Sequence, residues 1–262
     1  MPELPDVACF KSYLDATSLH RKVTGVERLN AALLRDVSPA AFRKALTGHR
    51  FESSLRHGKY LFVRLDGGKH LVMHFGMTGF LKSSKHGSET PDPTQAEFLL
   101  DDGYHLAYVC QRKLGHLTVV GEPQELIERH ELGPDALDNA LDAAAMAERL
   151  SQSRAAVKSA LMNQKLLAGI GNIYSDEILF QTRLHPSTPA SDLDKATLRK
   201  LHRNMRKVLN KAIERDAKPN QLPRTYLLPH RHEDGECPRC GHPLETLKVS
   251  GRTAWLCPHC QS

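Results

Sequence analysis

The sequence predicts a multidomain α+β protein with a β-rich N-terminal domain, a helical domain and a small metal-binding module. Three observations support this fold class. Short apolar segments alternate with Asp- and Gly-containing turns in the first half of the chain. Apolar residues with helical spacing dominate the second half. Four of the six cysteines cluster at positions 237–260, in two CxxC pairs.

Length and composition narrow the class further. At 262 residues the chain can hold two or three domains, and its 40% hydrophobic and 25% charged residues exclude a disordered protein. No apolar run approaches the roughly 18 residues that a membrane helix needs, so we expect no membrane contact. The MPELPDVACF start lacks the features of a secretory signal, which predicts a reducing, cytoplasmic location. The net charge of +6 suits nucleic acid as a partner, although solubility alone also explains it.

We place the β-rich domain at residues 1–121. It opens with a predicted helix over residues 5–19, because the apolar residues there share one face and Pro5 suits a first turn. Two hairpins are predicted next, since strand-like segments flank the turn sequences DGG and DDG. Their strands are placed at residues 59–65 and 70–74, and at 98–100 and 105–109. Short strands in this order predict packed sheets or a barrel.

A helical domain is predicted at residues 122–216. Apolar residues there recur with helical spacing in five segments. These segments are residues 122–130, 143–150, 153–163, 172–181 and 193–216. Residues 217–235 contain three prolines and few residues suited to a core, so we interpret them as a linker. The cysteine module then occupies residues 236–262.

The cysteine module has the spacing of a zinc ribbon. The motifs CPRCGH and CPHC leave sixteen residues between Cys240 and Cys257, which is long enough for a β-hairpin. Two thiolates in each CxxC can surround one tetrahedral ion at about 2.3 Å. Four sulfur ligands leave no open position, so the single Zn²⁺ is expected to be structural; a rubredoxin-like iron site is the alternative. The predicted ligands are Cys237, Cys240, Cys257 and Cys260.

Two features of the second half are candidate phosphate sites. Gly169 and Gly171 allow a sharp turn before a helix that begins near Asn172, and a helix N-terminus offers unpaired N–H groups to an anion. Lys158 lies on the preceding helix. Arg252 stands in the predicted hairpin of the cysteine module, where a guanidinium can bind phosphate with two hydrogen bonds. The alternatives are an ordinary interhelical turn and an ordinary surface arginine.

Five motifs occur together in one order along the chain. They are MPELPDV at the start, GKY at residues 58–60, HFGMTGFL at 74–81, LAGIGNIYSDEILF at 167–180 and GRTAWLCPHCQ at 251–261. In this combination the sequence resembles the formamidopyrimidine-DNA glycosylase and endonuclease VIII family over nearly its whole length. The resemblance implies an N-terminal β-sandwich, a helix–two-turn–helix domain and a zinc-finger β-hairpin, with double-stranded DNA bound in the cleft between the two lobes.

The resemblance also implies the residues that carry the chemistry. Pro2 would be the nucleophile after removal of Met1, Glu3 its acid/base neighbour, and Lys59 a group near the phosphate and the leaving base. An α-amine has a pKa near 8, so part of it is unprotonated at neutral pH. The implied activity is a bifunctional DNA glycosylase and abasic-site lyase, which forms a Schiff base on Pro2 and cleaves the strand by β,δ-elimination.

DNA-contacting residues follow from the same resemblance. Gly171, Asn172 and Arg252 would contact the phosphates beside the lesion, and Lys158 falls on a backbone-contact position of the family. A glycosylase must also fill the gap that the extruded base leaves. The implied gap-filling residues are Met77, Arg112 and Leu114. Without the resemblance, a core position is the preferred interpretation of Met77.

Departures from the family pattern leave the preferred lesion open. Asp6 stands where the family usually has glutamate, and Ala8 stands where the formamidopyrimidine branch often has an acidic residue. Leu114 stands where an aromatic residue is common. Residues 217–235 are shorter than the corresponding segment of that branch. Oxidised purines, formamidopyrimidines and oxidised pyrimidines all stay possible. We expect a monomer that acts on DNA containing a damaged base or abasic site.

Two other functions are compatible with parts of the sequence. The first is a non-catalytic damaged-DNA-binding protein on the same scaffold. The second is a zinc-ribbon factor that binds protein or RNA. Pro2, Glu3 and Lys59 favour the enzyme over the first, because a pure binder has no need of them. The glycine turn and Arg252 disfavour the second.

Overall fold

The computed structural model describes residues 1–261 and divides the chain into two compact units. The first unit comprises Met1–Pro2 and Asp6–Glu131, and the second comprises Glu3–Pro5 together with the chain from Leu132 onward. The N-terminal helix, α1 (Leu4–Ser18), therefore starts among residues of the second unit and continues in the first.

The first unit contains two four-stranded antiparallel sheets, with strand orders β1-β6-β7-β5 and β2-β3-β4-β8. Apolar side chains from both sheets, among them Phe51, Leu61 and Phe98, form one core with the buried face of α2. The elements are β1 (Val23–Glu27), α2 (Pro39–Leu46), β2 (Phe51–His57), β3 (Tyr60–Leu65), β4 (His70–His74), β5 (Gly79–Lys85), β6 (Thr94–Leu100), β7 (Tyr104–Cys110), β8 (His116–Val120) and α3 (Pro123–Arg129).

Both predicted hairpins are present in the first unit. Strands β3 and β4 pair around the DGG turn, and β6 and β7 pair around the DDG turn. The second pair is longer than predicted, because pairing with β1 and β5 extends it beyond its apolar centre. Lys59 lies outside β3, in the turn after β2, where Gly58 has a φ of +55°. Glycine tolerates this left-handed conformation without steric cost.

The second unit is helical and ends in a β-hairpin. Its longest helix, α7, is capped by Asp194, whose side chain accepts a hydrogen bond from the Thr197 N–H. The apolar face of α7 packs in a core that also contains Leu4 from the chain start. The elements are α4 (Ala143–Ser151), α5 (Val157–Met162), α6 (Asn172–Thr182), α7 (Lys195–Ile213), β9 (Glu245–Val249) and β10 (Arg252–Leu256).

The segment predicted as a linker with few core residues is packed instead. Leu222, Tyr226, Leu227 and Leu228 in this segment are buried. Its prolines start two short 3-10 helices rather than keeping the chain extended. The prediction is wrong in this respect because the apolar residues between the prolines lack helical or strand spacing, and their burial depends on partners elsewhere in the unit. Among the described residues, no helix is both long and apolar enough to cross a bilayer.

Candidate functional site

The second unit buries the carboxylate of Glu3 at the start of α6. The backbone N–H groups of Gly171, Ile173 and Tyr174 donate hydrogen bonds to it, at 2.7, 2.8 and 3.2 Å. The Leu4 N–H also donates to the Gly169 carbonyl at 3.0 Å, which fixes the backbone after Glu3. A side chain at position 171 would collide with Glu3, since a Cβ there would lie 2.4 Å from its Cδ. Glycine at 171 is therefore required for the close approach.

This contact changes the interpretation of the glycine turn. The N–H groups that were predicted to face a phosphate are donated to Glu3, including that of Gly171. The positive end of α6 therefore stabilises the chain's own carboxylate. Asn172 still supplies a side chain at this end, and its Oδ1 is buried without a hydrogen-bond partner among the described residues. An unsatisfied buried oxygen is unfavourable by about 1–3 kcal/mol, so a donor from water or ligand would stabilise this position.

Lys158 does not face solvent, although it was predicted to contact the DNA backbone. Its ammonium is fully buried and donates to Asp176 Oδ1 at 2.5 Å, to Ser175 Oγ at 3.0 Å and to the Asn172 carbonyl at 3.2 Å. Burial lowers the pKa of Lys158 and raises the pKa of Asp176, while their mutual attraction opposes both shifts. This geometry does not fit a direct phosphate contact, because the donors of Lys158 are already engaged within the protein.

In the first unit, Lys59 lies next to a cluster of aromatic rings. The His74 ring lies 4.9 Å from that of Tyr60 and stacks on that of His116 at 4.8 Å. Burial lowers the pKa of His74 to about 3, with smaller contributions from His116, Lys59 and His130. Burial also lowers the pKa of His116 to about 4. Both imidazoles are therefore neutral at pH 7.

The three predicted gap-filling residues lie on two turns of the first unit that contact each other. Met77 is 38% exposed and Leu114 is 53% exposed, so the alternative of a core methionine is wrong. The Arg112 N–H donates to Thr78 Oγ1 at 3.1 Å, which joins the two turns. The backbone at Gly76 also approaches Leu114 so closely that a Cβ there would lie 2.4 Å from its carbonyl carbon. Two large apolar side chains are thus presented to solvent close to an arginine.

The cysteine cluster has the geometry of a four-sulfur metal centre. The ligand atoms of Cys237, Cys240, Cys257 and Cys260 all lie within 4.8 Å of one another, and three of their six Sγ–Sγ distances are 3.5, 3.5 and 3.8 Å. A tetrahedral ion with Zn–S bonds of about 2.3 Å requires Sγ–Sγ distances of about 3.8 Å. The cluster therefore fits Zn²⁺, held by four thiolates with no position left for substrate.

Arg252 begins β10, directly after the turn at Ser250 and Gly251. Its side chain is exposed, as a phosphate contact requires. The turn itself is attached to α5, because the hydroxyls of Ser250 and Ser159 lie 2.9 Å apart. Arg252 therefore stands on a hairpin that both the metal centre and the helical core hold.

Family models account for almost the whole chain. The formamidopyrimidine-DNA glycosylase N-terminal domain matches residues 1–117, the formamidopyrimidine-DNA glycosylase H2TH domain residues 132–223, and the zinc finger found in FPG and IleRS residues 235–262. The chain belongs to the formamidopyrimidine-DNA glycosylase family. The predicted β-sandwich, helix–two-turn–helix domain, zinc-finger hairpin and structural Zn²⁺ are confirmed, as is membership of an enzyme family of DNA repair.

Individual relatives agree with this assignment. The formamidopyrimidine-DNA glycosylase of Symbiobacterium thermophilum is 37% identical over 275 residues, covering 100% of this chain and 89% of that protein. The Moorella thermoacetica enzyme of the same name is 36% identical over 262 residues, covering 99% and 92%. Lactococcus lactis Fpg, solved with DNA that contains an AP site, has a TM-score of 0.89 at 25% identity and covers 99% of each chain. The same enzyme with N7-benzyl-Fapy-dG DNA has a TM-score of 0.90 at 26% identity, with full coverage of both chains.

Two acidic residues, Asp176 and Glu177, had no predicted role. Both are buried on α6. Burial raises the pKa of Glu177 to about 7, and its carboxylate accepts hydrogen bonds from the Leu228 N–H at 2.8 Å and from Gln181 at 2.7 Å. Two adjacent carboxylates within the apolar sequence LAGIGNIYSDEILF were the available signal, because buried acids are rare unless they are paired.

Proposed function

We propose that this protein is a bifunctional DNA glycosylase and abasic-site lyase that removes oxidised bases from double-stranded DNA. It forms a Schiff base on the N-terminal proline and cleaves the strand by β,δ-elimination. Family membership supports the substrate class, and the DNA bound to the solved relatives supports the duplex partner. The observation that carries the mechanism is the anchored carboxylate of Glu3, bonded in sequence to Pro2.

The chemistry begins with removal of Met1, which leaves Pro2 with a free secondary amine. An α-amine with a pKa near 8 is partly unprotonated at neutral pH and can attack C1′ of the damaged nucleotide. The base departs with its bonding electrons and takes a proton from the solvent. The C1′–O4′ bond then breaks, O4′ takes the proton that the amine has lost, and the C1′–nitrogen bond becomes an iminium. Loss of a proton from C2′ then expels the 3′ phosphate, and a second elimination expels the 5′ phosphate. Hydrolysis of the iminium restores the amine.

Glu3 has a defined role in this sequence. Its carboxylate, held by three N–H donors next to Pro2 in the sequence, takes the proton of the attacking amine and passes it to the sugar oxygen. The same hydrogen bonds restrict the backbone that bears Pro2. A nucleophile with restricted motion reacts faster, because less entropy is lost on reaching the reactive geometry.

Each unit contributes DNA-binding groups to the proposal. In the second unit, Asn172 and Arg252 bind phosphates beside the lesion. In the first unit, Lys59 acts near a phosphate and the leaving base. The exposed side chains of Met77, Arg112 and Leu114 occupy the gap left by the extruded base, which requires apolar groups able to enter a base stack. A monomer suffices for all of these contacts, and DNA as the substrate places the enzyme in the cytoplasm or nucleoid.

A non-catalytic damage-binding protein on this scaffold is the alternative. A panel of duplexes with single lesions distinguishes the two, with strand scission and base release measured separately. The proposed enzyme releases at least one oxidised base and cleaves abasic DNA, whereas Glu3→Gln lowers both rates. Tight binding to every duplex without base release or scission, by protein that lacks Met1, would establish the alternative.

A further inference from the structure

Asp176 binds two cations that come from separate segments of the second unit. Its Oδ1 accepts from the Lys158 ammonium on α5 at 2.5 Å. Its Oδ2 accepts from Nε and Nη2 of Arg231, at 3.1 and 3.0 Å. The backbone N–H of Trp255 on β10 faces the same carboxylate and lowers its pKa. The carboxylate is fully buried, and these contacts satisfy both of its oxygens.

On one side these contacts hold the hairpin that carries Arg252. Trp255 lies on β10, three residues after Arg252, and its backbone N–H faces Asp176. The guanidinium of Arg231 lies 5.9 Å from the centre of the Trp255 ring, a cation–π distance. Asp176 therefore holds this strand chiefly through Arg231, whose guanidinium lies over the Trp255 ring.

On the other side, the contacts of Asp176 hold the start of α6. The Lys158 ammonium that binds Asp176 also donates to the Asn172 carbonyl at 3.2 Å. The hydroxyl of Ser175 donates to the same carbonyl at 3.2 Å and accepts from Lys158 at 3.0 Å. The backbone of Asn172 is thus fixed by the same group of charges that fixes β10.

Stability alone does not explain this arrangement. Removing three charges from water is unfavourable, and apolar residues of similar volume often replace a buried ion triad without loss of stability. An apolar group, however, cannot orient the Lys158 and Arg231 cations at once. The distinctive contribution of Asp176 is therefore geometric.

We infer that Asp176 is a positioning residue that fixes Arg252 relative to Asn172, so that both bind the phosphates of one DNA strand. The inference rests on the proposed function, which makes these two residues phosphate ligands. Asp176 touches neither DNA nor the reacting atoms and acts through Arg252 and Asn172. Loss of its carboxylate leaves Arg252 exposed and charged but displaced from its phosphate.

A double-mutant cycle tests the inference. The probe is a duplex with a tetrahydrofuran site, and affinity is measured by fluorescence anisotropy over a range of salt concentrations. Arg252→Ala is expected to weaken binding about 10-fold or more and to reduce the slope of log Kd against log salt by about 1. Asp176→Asn should produce at least these two changes, and the double variant should bind within about twofold of Asp176→Asn alone.

Zinc content and thermal unfolding serve as controls, and both should show a folded, metal-bound protein. Glu177→Gln is the matched variant, because it removes the adjacent buried carboxylate, which holds Leu228 rather than β10. Its effect on affinity should add to that of Arg252→Ala. If Asp176→Asn does not fold, the triple variant Lys158→Met, Asp176→Leu, Arg231→Met removes all three charges and is expected to show the same coupling.

The outcomes test the phosphate role of Arg252 and the positioning role of Asp176 separately. If Arg252→Ala leaves affinity and salt slope unchanged, the phosphate role in the proposed function is wrong. If Arg252→Ala weakens binding but its effect adds fully to that of Asp176→Asn or the triple variant, the positioning role alone is overturned. Coupling that appears only with the Asp176 variants supports the inference.

Discussion

Two half-buried histidines of the first unit, His74 and His116, predict that acid destabilises this unit. His74 and His116 are stacked on each other beside Tyr60, and both are neutral in the folded protein. Lys59 and His130 further lower the pKa of His74. Arg35 and His130 lower the pKa of His116, whereas Asp36 raises it. A proton added to either ring would charge a group that has little access to water.

The magnitude follows from the two pKa values. An unfolded histidine has a pKa of about 6.5, against about 3 for His74 and about 4 for His116 in the folded protein. At pH 5 the unfolded state therefore binds nearly two more protons than the folded state. Relative to pH 8, each histidine lowers the free energy of unfolding by about 2 kcal/mol, and together they lower it by about 4 kcal/mol. Stability is retained above pH 6.5 and falls as the pH decreases toward 4.

Urea denaturation at pH 8 and pH 5 measures this loss. The far-UV circular dichroism signal of the strands reports the first unit, which contains β1–β8. The single tryptophan, Trp255, lies in the second unit and gives a separate signal. The variant with His74→Gln and His116→Gln should lose most of the acid sensitivity, whereas His86→Gln at an exposed position should retain it. If the double variant is as acid-sensitive as the natural chain, the assignment to these rings is refuted.

Three further predictions concern other positions. Gly171→Ala should displace Glu3, since the added Cβ would lie 2.4 Å from the Glu3 Cδ. In a kinetic assay this variant should cleave abasic sites at least 10-fold more slowly, and normal cleavage would contradict the anchoring role. Met77→Ala and Leu114→Ala should change stability by no more than about 0.5 kcal/mol in thermal unfolding while weakening binding to lesion DNA, and the reverse pattern would indicate core positions. The pKa of Glu177 is raised to about 7, so its contribution to the free energy of unfolding is present at pH 4.5 and is lost as the pH rises through 7. Glu177→Gln should remove about 3 kcal/mol of this pH dependence, measured by tryptophan fluorescence in urea. An unchanged pH dependence would exclude Glu177 as its source.

The parts of the fold that depend on local sequence were predictable. The DGG and DDG turns identify their hairpins, and the CxxC spacing identifies the zinc ligands, because these signals act over a few residues. The start of α6 was also predicted at Asn172 from the preceding glycines. Local chemistry fixes each of these features almost independently of the rest of the chain.

The features that were missed depend on residues far apart in sequence. Glu3 meets Gly171 across 168 positions, so nothing near the glycine turn indicates that its N–H groups are already bound. Lys158 resembles a surface lysine until Asp176 and Arg231 are placed beside it. The packing of Leu227 and Leu228 likewise depends on distant partners. A single sequence carries no direct signal for such pairs.

The central claim is that the amine of Pro2 forms a covalent bond to the sugar. Borohydride reduction during incubation with abasic-site DNA measures this bond directly, because it converts the iminium into a stable amine. Protein lacking Met1 should be trapped on DNA, with mass spectrometry of the digested adduct placing the DNA fragment on Pro2. Protein that keeps Met1 should give no adduct. An adduct of equal yield with Met1 retained, or one mapped to a lysine, would contradict the mechanism.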